Sequence, residues 1–155
     1  MSNPTIVVTR RLPNLTEIKM VELFDTRLNS GDISLTDEQI MVACEGAQIL
    51  VPTVTDKIDA NLIRALPDSI KMLANFGAGV DHIDLKAAAT RNMVVTNTPD
   101  VLTDDTADLA MALLLAVPRR LAEGSRLARM GEWDGWTPTF MMGHRVSGKR
   151  LGIIG

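Results

Sequence analysis

A glycine turn, Asn75-Phe76-Gly77-Ala78-Gly79-Val80-Asp81-His82-Ile83-Asp84, follows an apolar run and can bring bare backbone close to a ligand. Free N–H groups at Ala78 and Gly79 would form a small nest for a carboxylate or phosphate. The same glycines suit a left-handed turn that binds nothing, and His82 suits a packed or capping histidine as well as a base. A second segment, Asn97 to Asp108, gathers four aspartates around a helix start. Capping and the helix dipole account for such acids, and no histidine joins them to make a metal site. Thr106 falls one turn inside that helix, where its hydroxyl either meets a ligand or bonds back to the preceding turn. Trp133-Asp134-Gly135-Trp136 offers two large rings for a partner surface or for stapling the segment to its own helices. The last residues, Leu151-Gly152-Ile153-Ile154-Gly155, read as a buried strand running into one glycine, the way a pyrophosphate-binding turn begins.

The elements that must carry these residues alternate. β-branched or apolar runs predict strands at Thr5–Thr9, Thr26–Leu28, Ala47–Val51, Ile70–Asn75 and Met93–Thr96. Helical spacing predicts helices at Leu15–Phe24, Thr36–Cys44, Ile58–Leu66 and Asp84–Thr90, with Leu15, Ile18, Met20, Val21 and Phe24 on one face of the first. Thr36 and Gln39 have the spacing of a capping box. Strands separated by helices imply an α/β fold with a doubly wound parallel sheet, whose ligands sit at the C-terminal ends of the strands. From Asn97 the pattern changes: a long helix starts near Thr103, carries Leu109, Leu113 and Val117, and should be split by Pro118 before a charged helical stretch to Met130. Gly131 to Gly148 reads as an extended arm.

Composition narrows the function classes. With 46% hydrophobic and 23% charged residues the chain is ordinary for a globular protein, with nine Met and few aromatics in its core. A net charge of −3 provides no basic footprint, so nucleic acid is not expected as a partner. The single cysteine, Cys44, cannot form an internal disulfide and reads as a buried helix residue, which fits a cytoplasmic protein. No signal-like or membrane-length apolar run is found, so neither secretion nor membrane association is expected.

In order along the chain, NFGAGVDHID (Asn75–Asp84), TNTPDVLTDDTADLAMALLLAVPRR (Thr96–Arg120), GEWDGW (Gly131–Trp136) and GKRLGIIG (Gly148–Gly155) resemble the D-isomer-specific 2-hydroxyacid dehydrogenases, most closely the glyoxylate and hydroxypyruvate reductase branch. The resemblance implies a flavodoxin-like substrate domain over residues 1–97, lacking the C-terminal helix that closes it in the family. It further implies that residues 98–155 are the opening helix, dimerisation arm and first strand of a truncated Rossmann domain for NAD or NADP. Ala78 and Gly79 would present amides to the carboxylate of a small 2-oxoacid, and Val54 and Thr55 would line the same pocket. Val80 would lie near the nicotinamide, Thr106 would touch the dinucleotide, and Gly155 would be the first glycine of the phosphate turn. A homodimer is implied, with Trp136 reaching the partner subunit. The Arg, Glu and His that run the family's chemistry lie beyond Gly155, so this chain is expected to be inactive alone. The other class compatible with the residues is a flavodoxin-like module that holds a small anion at Gly77–Val80 without catalysis.

Overall fold

The β-branched and apolar runs pair as parallel strands in the computed structural model, which describes residues 3–154. The chain divides into two compact units, Met1–Val101 and Leu102–Gly155; Asn97 and Thr98 still bond to the first. In the first unit, β1 (Thr5–Val8), β2 (Asp25–Arg27), β3 (Ile49–Val51), β4 (Met72–Ala74) and β5 (Val94–Thr96) form one sheet in the order β2-β1-β3-β4-β5. All neighbours are parallel, and register is set by pairs such as Val7 with Leu50 and Leu73 with Val95. This is the flavodoxin-like order, whose winding reverses between β1 and β3.

Two cores flank the sheet. On one side, α2 (Asp37–Ala43), α3 (Ala60–Ala65) and α4 (Leu85–Thr90) bury Ile40, Leu62, Ile63 and Ala88 against Val7, Leu50 and Leu73. The capping box forms: Gln39 N–H donates to Thr36 Oγ1 at 3.3 Å and Thr36 N–H to Gln39 Oε1 at 2.9 Å. Asp59 and Asp84 cap α3 and α4 through side-chain oxygens. On the other side, α1 (Asn14–Leu23) brings Met20, along with Phe24 just past its end, to Ile6, Val8 and Val51. The expected apolar face of α1 is only partly used: Leu15, Ile18 and Val21 are exposed, Leu15 at 76%. In the doubly wound plan a sheet face takes more than one helix, and in this unit α1 stands alone beside Ile6, Val8 and Val51.

Cys44 closes α2 from inside the first core. Burial raises its thiol pKa from the ordinary 9.0 to about 11. The native state therefore keeps a proton that the unfolded chain loses first, so this stabilising contribution is whole below pH 9 and declines as pH climbs toward about 11. At pH 8 the native thiol should react with iodoacetamide about a hundredfold more slowly than the same thiol in urea. Equal rates, read by mass spectrometry, would contradict its burial.

The second unit holds α5 (Thr103–Ala116) and α6 (Leu121–Met130), separated where Pro118 interrupts the ladder and Arg120 turns through φ 55°. Arg120 pairs with Glu123 at 2.6 and 2.8 Å and donates to the Met142 carbonyl, while His144 N–H bonds to the Pro118 carbonyl. Those bonds bring the arm back to the joint between the helices. The expected strand at Leu151–Gly155 does not form: Leu151–Ile154 are exposed coil, and Gly155 lies outside the described residues. A strand needs a neighbour to complete its hydrogen bonds, and among the described residues the second unit has none. Among the described residues no helix is long and apolar enough to cross a membrane.

Candidate functional site

Two connections leave the C-terminal ends of adjacent strands, residues 52–59 after β3 and residues 75–84 after β4. They are zippered together. Phe76 N–H bonds to the Pro52 carbonyl at 2.8 Å, Ile58 N–H to the His82 carbonyl and Asp84 N–H to the Ile58 carbonyl, both at 2.9 Å. Ile58 thus sits in a bridge to Ile83 rather than in the helix that was expected to start there.

Asn75, read from sequence as the strand end where the glycine turn begins and given no role of its own, organises that turn. Its Nδ2 donates to the carbonyls of Gly77 and Gly79 at 3.1 and 2.9 Å, which leaves Oδ1 facing His82 Nε2 at 2.9 Å. That orientation makes His82 Nε2 the donor. His82 is thereby a clip on the turn, its Nε2–H engaged by Asn75. Asn97 Nδ2 takes the Ala78 carbonyl at 2.7 Å, Thr98 N–H takes that of Gly77, and Ile83 N–H that of Val80. Four consecutive carbonyls, Gly77 to Val80, are therefore occupied by protein donors. Among the described residues no protein acceptor takes the N–H of Ala78 or Gly79, nor that of Val54 or Thr55. A turn with its carbonyls tied down and its amides free has the polarity to hold an anion.

Gly77 serves close approach, and neither glycine serves handedness. Neither Gly77 nor Gly79 has a positive φ, so the left-handed reading does not hold. A Cβ at Gly77 would lie 2.7 Å from Val54 Cγ1 and 3.2 Å from Asn75 Nδ2, whereas at Gly79 it would meet only Asp81 Oδ2 at 3.8 Å. Gly77→Ala should therefore push Val54 aside and weaken anion binding about tenfold, while Gly79→Ala leaves folding within about 1 kcal/mol of the parent. Urea melts and anion titration of both variants check the pair; equal behaviour would sink the close-approach argument.

The structure thus brings Val54, Thr55, Ala78 and Gly79 onto two joined turns, with Val80 half-buried in the second. Thr55 Oγ1 accepts from Arg10 Nη1 at 3.1 Å, and Arg10 Nε pairs with Asp32 at 2.9 Å. The Arg10 bond holds the Asp32 carboxyl below its usual range. Thr106 belongs to the second unit; its N–H bonds to the Leu102 carbonyl, and among the described residues its hydroxyl has no protein partner, so the back-bond does not form. Asp104 and Asp105 occupy the first turn of α5, and no group of three His, Cys, Asp or Glu side chains suited to a metal is found among the described residues. The two tryptophans separate: Trp133 packs edge-on against Phe140 at 5.3 Å, while Trp136 is 80% exposed.

The catalytic-domain model of the D-isomer specific 2-hydroxyacid dehydrogenases matches residues 6–145. A glyoxylate reductase of Thermococcus litoralis is 41% identical over 98% of this chain and 47% of its own length. A solved chain from Polaromonas sp. JS6 66 superposes with a TM-score of 0.86 at 38% identity, over 96% of this chain and 47% of that one. An NADPH-dependent glyoxylate/hydroxypyruvate reductase of Sinorhizobium meliloti, solved with NADP and malonate, gives a TM-score of 0.73 at 32% identity over 88% and 42%. The chain spans about half the length of the curated relatives it matches. A parallel five-stranded sheet with paired turns at its carboxyl edge, and a family match running through both units, lead to one assignment: the chain belongs to the D-isomer specific 2-hydroxyacid dehydrogenase family.

Proposed function

We propose that this chain supplies the acid-binding part of a nicotinamide-dependent 2-oxoacid reductase that takes glyoxylate or hydroxypyruvate to glycolate or D-glycerate. The observation that carries the reading is the turn at Gly77–Val80, whose carbonyls are all engaged while the Ala78 and Gly79 amides stay available. The substrate carboxylate sits on those amides, and Val54 and Thr55 enclose its other side. Two or three N–H donors at a carboxylate orient it as well as hold it, which fixes the direction of the adjacent keto carbon.

The cofactor of the reading is NAD or NADP, and the residues at hand fit it in part. Val80 follows the amide pair, and the free Thr106 hydroxyl one turn into α5 is available to a dinucleotide. Once bound, the reduced nicotinamide supplies a hydride. The Nε2–H of His82 is engaged by Asn75, and the reading draws the proton from the family's His rather than from this turn. The part played by residues 1–155 is therefore binding, and the family's Arg, Glu and His supply the rest. The same reading assigns residues 1–97 to the substrate domain and residues 98–155 to the start of the cofactor domain. The family's closing helix would cover Leu15, Ile18 and Val21, and a homodimer would cover the apolar surface of α5 and Trp136.

Titration of the ¹⁵N-labelled chain with malonate should move the amide signals of Ala78, Gly79, Val54 and Thr55 together and to saturation. Glyoxylate with NADH or NADPH should show no loss of nicotinamide absorbance above a protein-free blank. Shifts confined to other residues would overturn the binding reading, and turnover would overturn the assignment of the chain to binding alone.

A further inference from the structure

We propose that Asp56 is a positioning residue of the acid-binding site: its buried carboxylate joins the ends of β1 and β3 and thereby fixes the turn that carries Val54 and Thr55. The proposal rests on the reading of that turn as one wall of the acid pocket. Asp56 is buried, and a single oxygen, Oδ2, accepts from Thr9 Oγ1 at 2.5 Å, Thr53 N–H at 2.7 Å and Thr53 Oγ1 at 3.2 Å. Thr9 directly follows β1 and Thr53 lies just past β3, so the carboxylate straddles the point where the winding of the sheet reverses. Ligands of doubly wound sheets gather at that point.

Arg10 feels the charge of Asp56 but does not pair with it directly. Arg10 turns its Nε to Asp32 and its Nη1 to Thr55 and Ser34. A buried carboxylate held by hydrogen bonds without a direct ion pair contributes little net stability, and an apolar side chain would often fill such a space at lower cost. What the carboxylate does provide is order. The Thr53 hydroxyl donates to Asp56 and so accepts from Thr55 Oγ1 at 3.0 Å; the Thr55 oxygen in turn accepts from Arg10. The protons of these two hydroxyls are committed in one direction, which leaves the Thr55 N–H as a donor and the remaining lone pair of Thr55 Oγ1 as an acceptor. With the turn held from Asp56 on one side and Arg10 on the other, Val54 stays against Gly77, where a single methyl would not fit.

The experiment compares Asp56→Asn, Thr9→Val and Thr9→Ser in the ¹⁵N-labelled chain, reading malonate affinity, urea stability and backbone relaxation at residues 53–55. Asp56→Asn should weaken malonate about tenfold and Thr9→Val by a smaller factor, while Thr9→Ser, which keeps the hydroxyl, stays within about twofold of the parent. The ligand-free variants that lose affinity should show faster internal motion at Val54 and Thr55. A folded Asp56→Asn chain with parental affinity and parental relaxation overturns the proposal. If Asp56→Asn does not fold, the two Thr9 variants decide it: equal affinities and equal relaxation overturn it. If the parent itself fails to bind malonate at Ala78 and Gly79, the acid-pocket reading fails, and relaxation in the free variants still decides whether Asp56 holds the turn.

Discussion

Replacing Asn75 with alanine is expected to lower the unfolding free energy by about 3 kcal/mol and to remove malonate binding. The side chain is 3% exposed and carries three hydrogen bonds, two from its amide to the Gly77 and Gly79 carbonyls and one from His82. Alanine leaves the Gly79 carbonyl and the His82 N–H without their partner, while the Gly77 carbonyl keeps the Thr98 N–H. A buried group left unpaired costs about 1–3 kcal/mol, and water can reach the exposed Gly79, so the sum settles in the lower half of two such losses. Function falls further than stability does, because a turn whose carbonyls are released no longer presents its amides in one arrangement. Asn75→Asp separates the two parts. It still accepts from His82, but it sets a carboxylate oxygen against two carbonyl oxygens, so it should bind malonate no better than the alanine variant. Urea denaturation and the malonate titration read both quantities; parental values in both variants would show that the clip does not hold the turn.

The same residue shows what was legible beforehand. Local signals were: the β-branched run at Thr5, the Thr36–Gln39 capping box and the break at Pro118 all depend on neighbours within a few residues. The glycine turn was also legible as a place where backbone meets ligand. Asn75 was not, since it ended an apolar run and its carbonyl partners are reached by a fold-back that no periodicity encodes. Asp56 and Arg10 were missed for a related reason: Thr9 and Asp56 are 47 residues apart, and Arg10 and Thr55 are 45 apart. Bonds over that span exist only once β1 and β3 have paired. In the opposite direction, helical spacing overstated the core at α1, because it marks which side of a helix is apolar and not whether anything covers it. Leu151 to Ile154 failed likewise: an apolar run has strand propensity, but a strand is a property of a sheet.

Arg91→Met should destabilise the chain by about 3 kcal/mol while leaving the malonate affinity of the folded state unchanged. Arg91 ends α4, and its guanidinium, 17% exposed, bonds to the carbonyls of Ile63, Leu66 and Pro67 at the end of α3. The Ile63 and Leu66 carbonyls belong to the last turn of a helix and its end and have no backbone donor among the described residues, whereas the Pro67 carbonyl also accepts from Ile70 N–H at 3.1 Å. The Arg91 bond to Asp68 adds little, because that carboxylate is in open water. Methionine keeps the length of the stem and removes every donor, so the loss reports the carbonyls and not the packing. Arg91→Lys should recover part of it, since one ammonium cannot reach three carbonyls in the geometry of a planar fork. The C-terminal ends of α3 and α4 lie at the edge of the sheet opposite to the strand ends that carry Thr53 and Asn75, because each helix runs back antiparallel to the strands it joins. A melting temperature lower by at least about 12 °C with parental malonate affinity is thus the expected pair of results. Parental stability in Arg91→Met would remove the fork as a fastener of α3 to α4, and a loss of affinity at full stability would tie this distant edge to the binding turns.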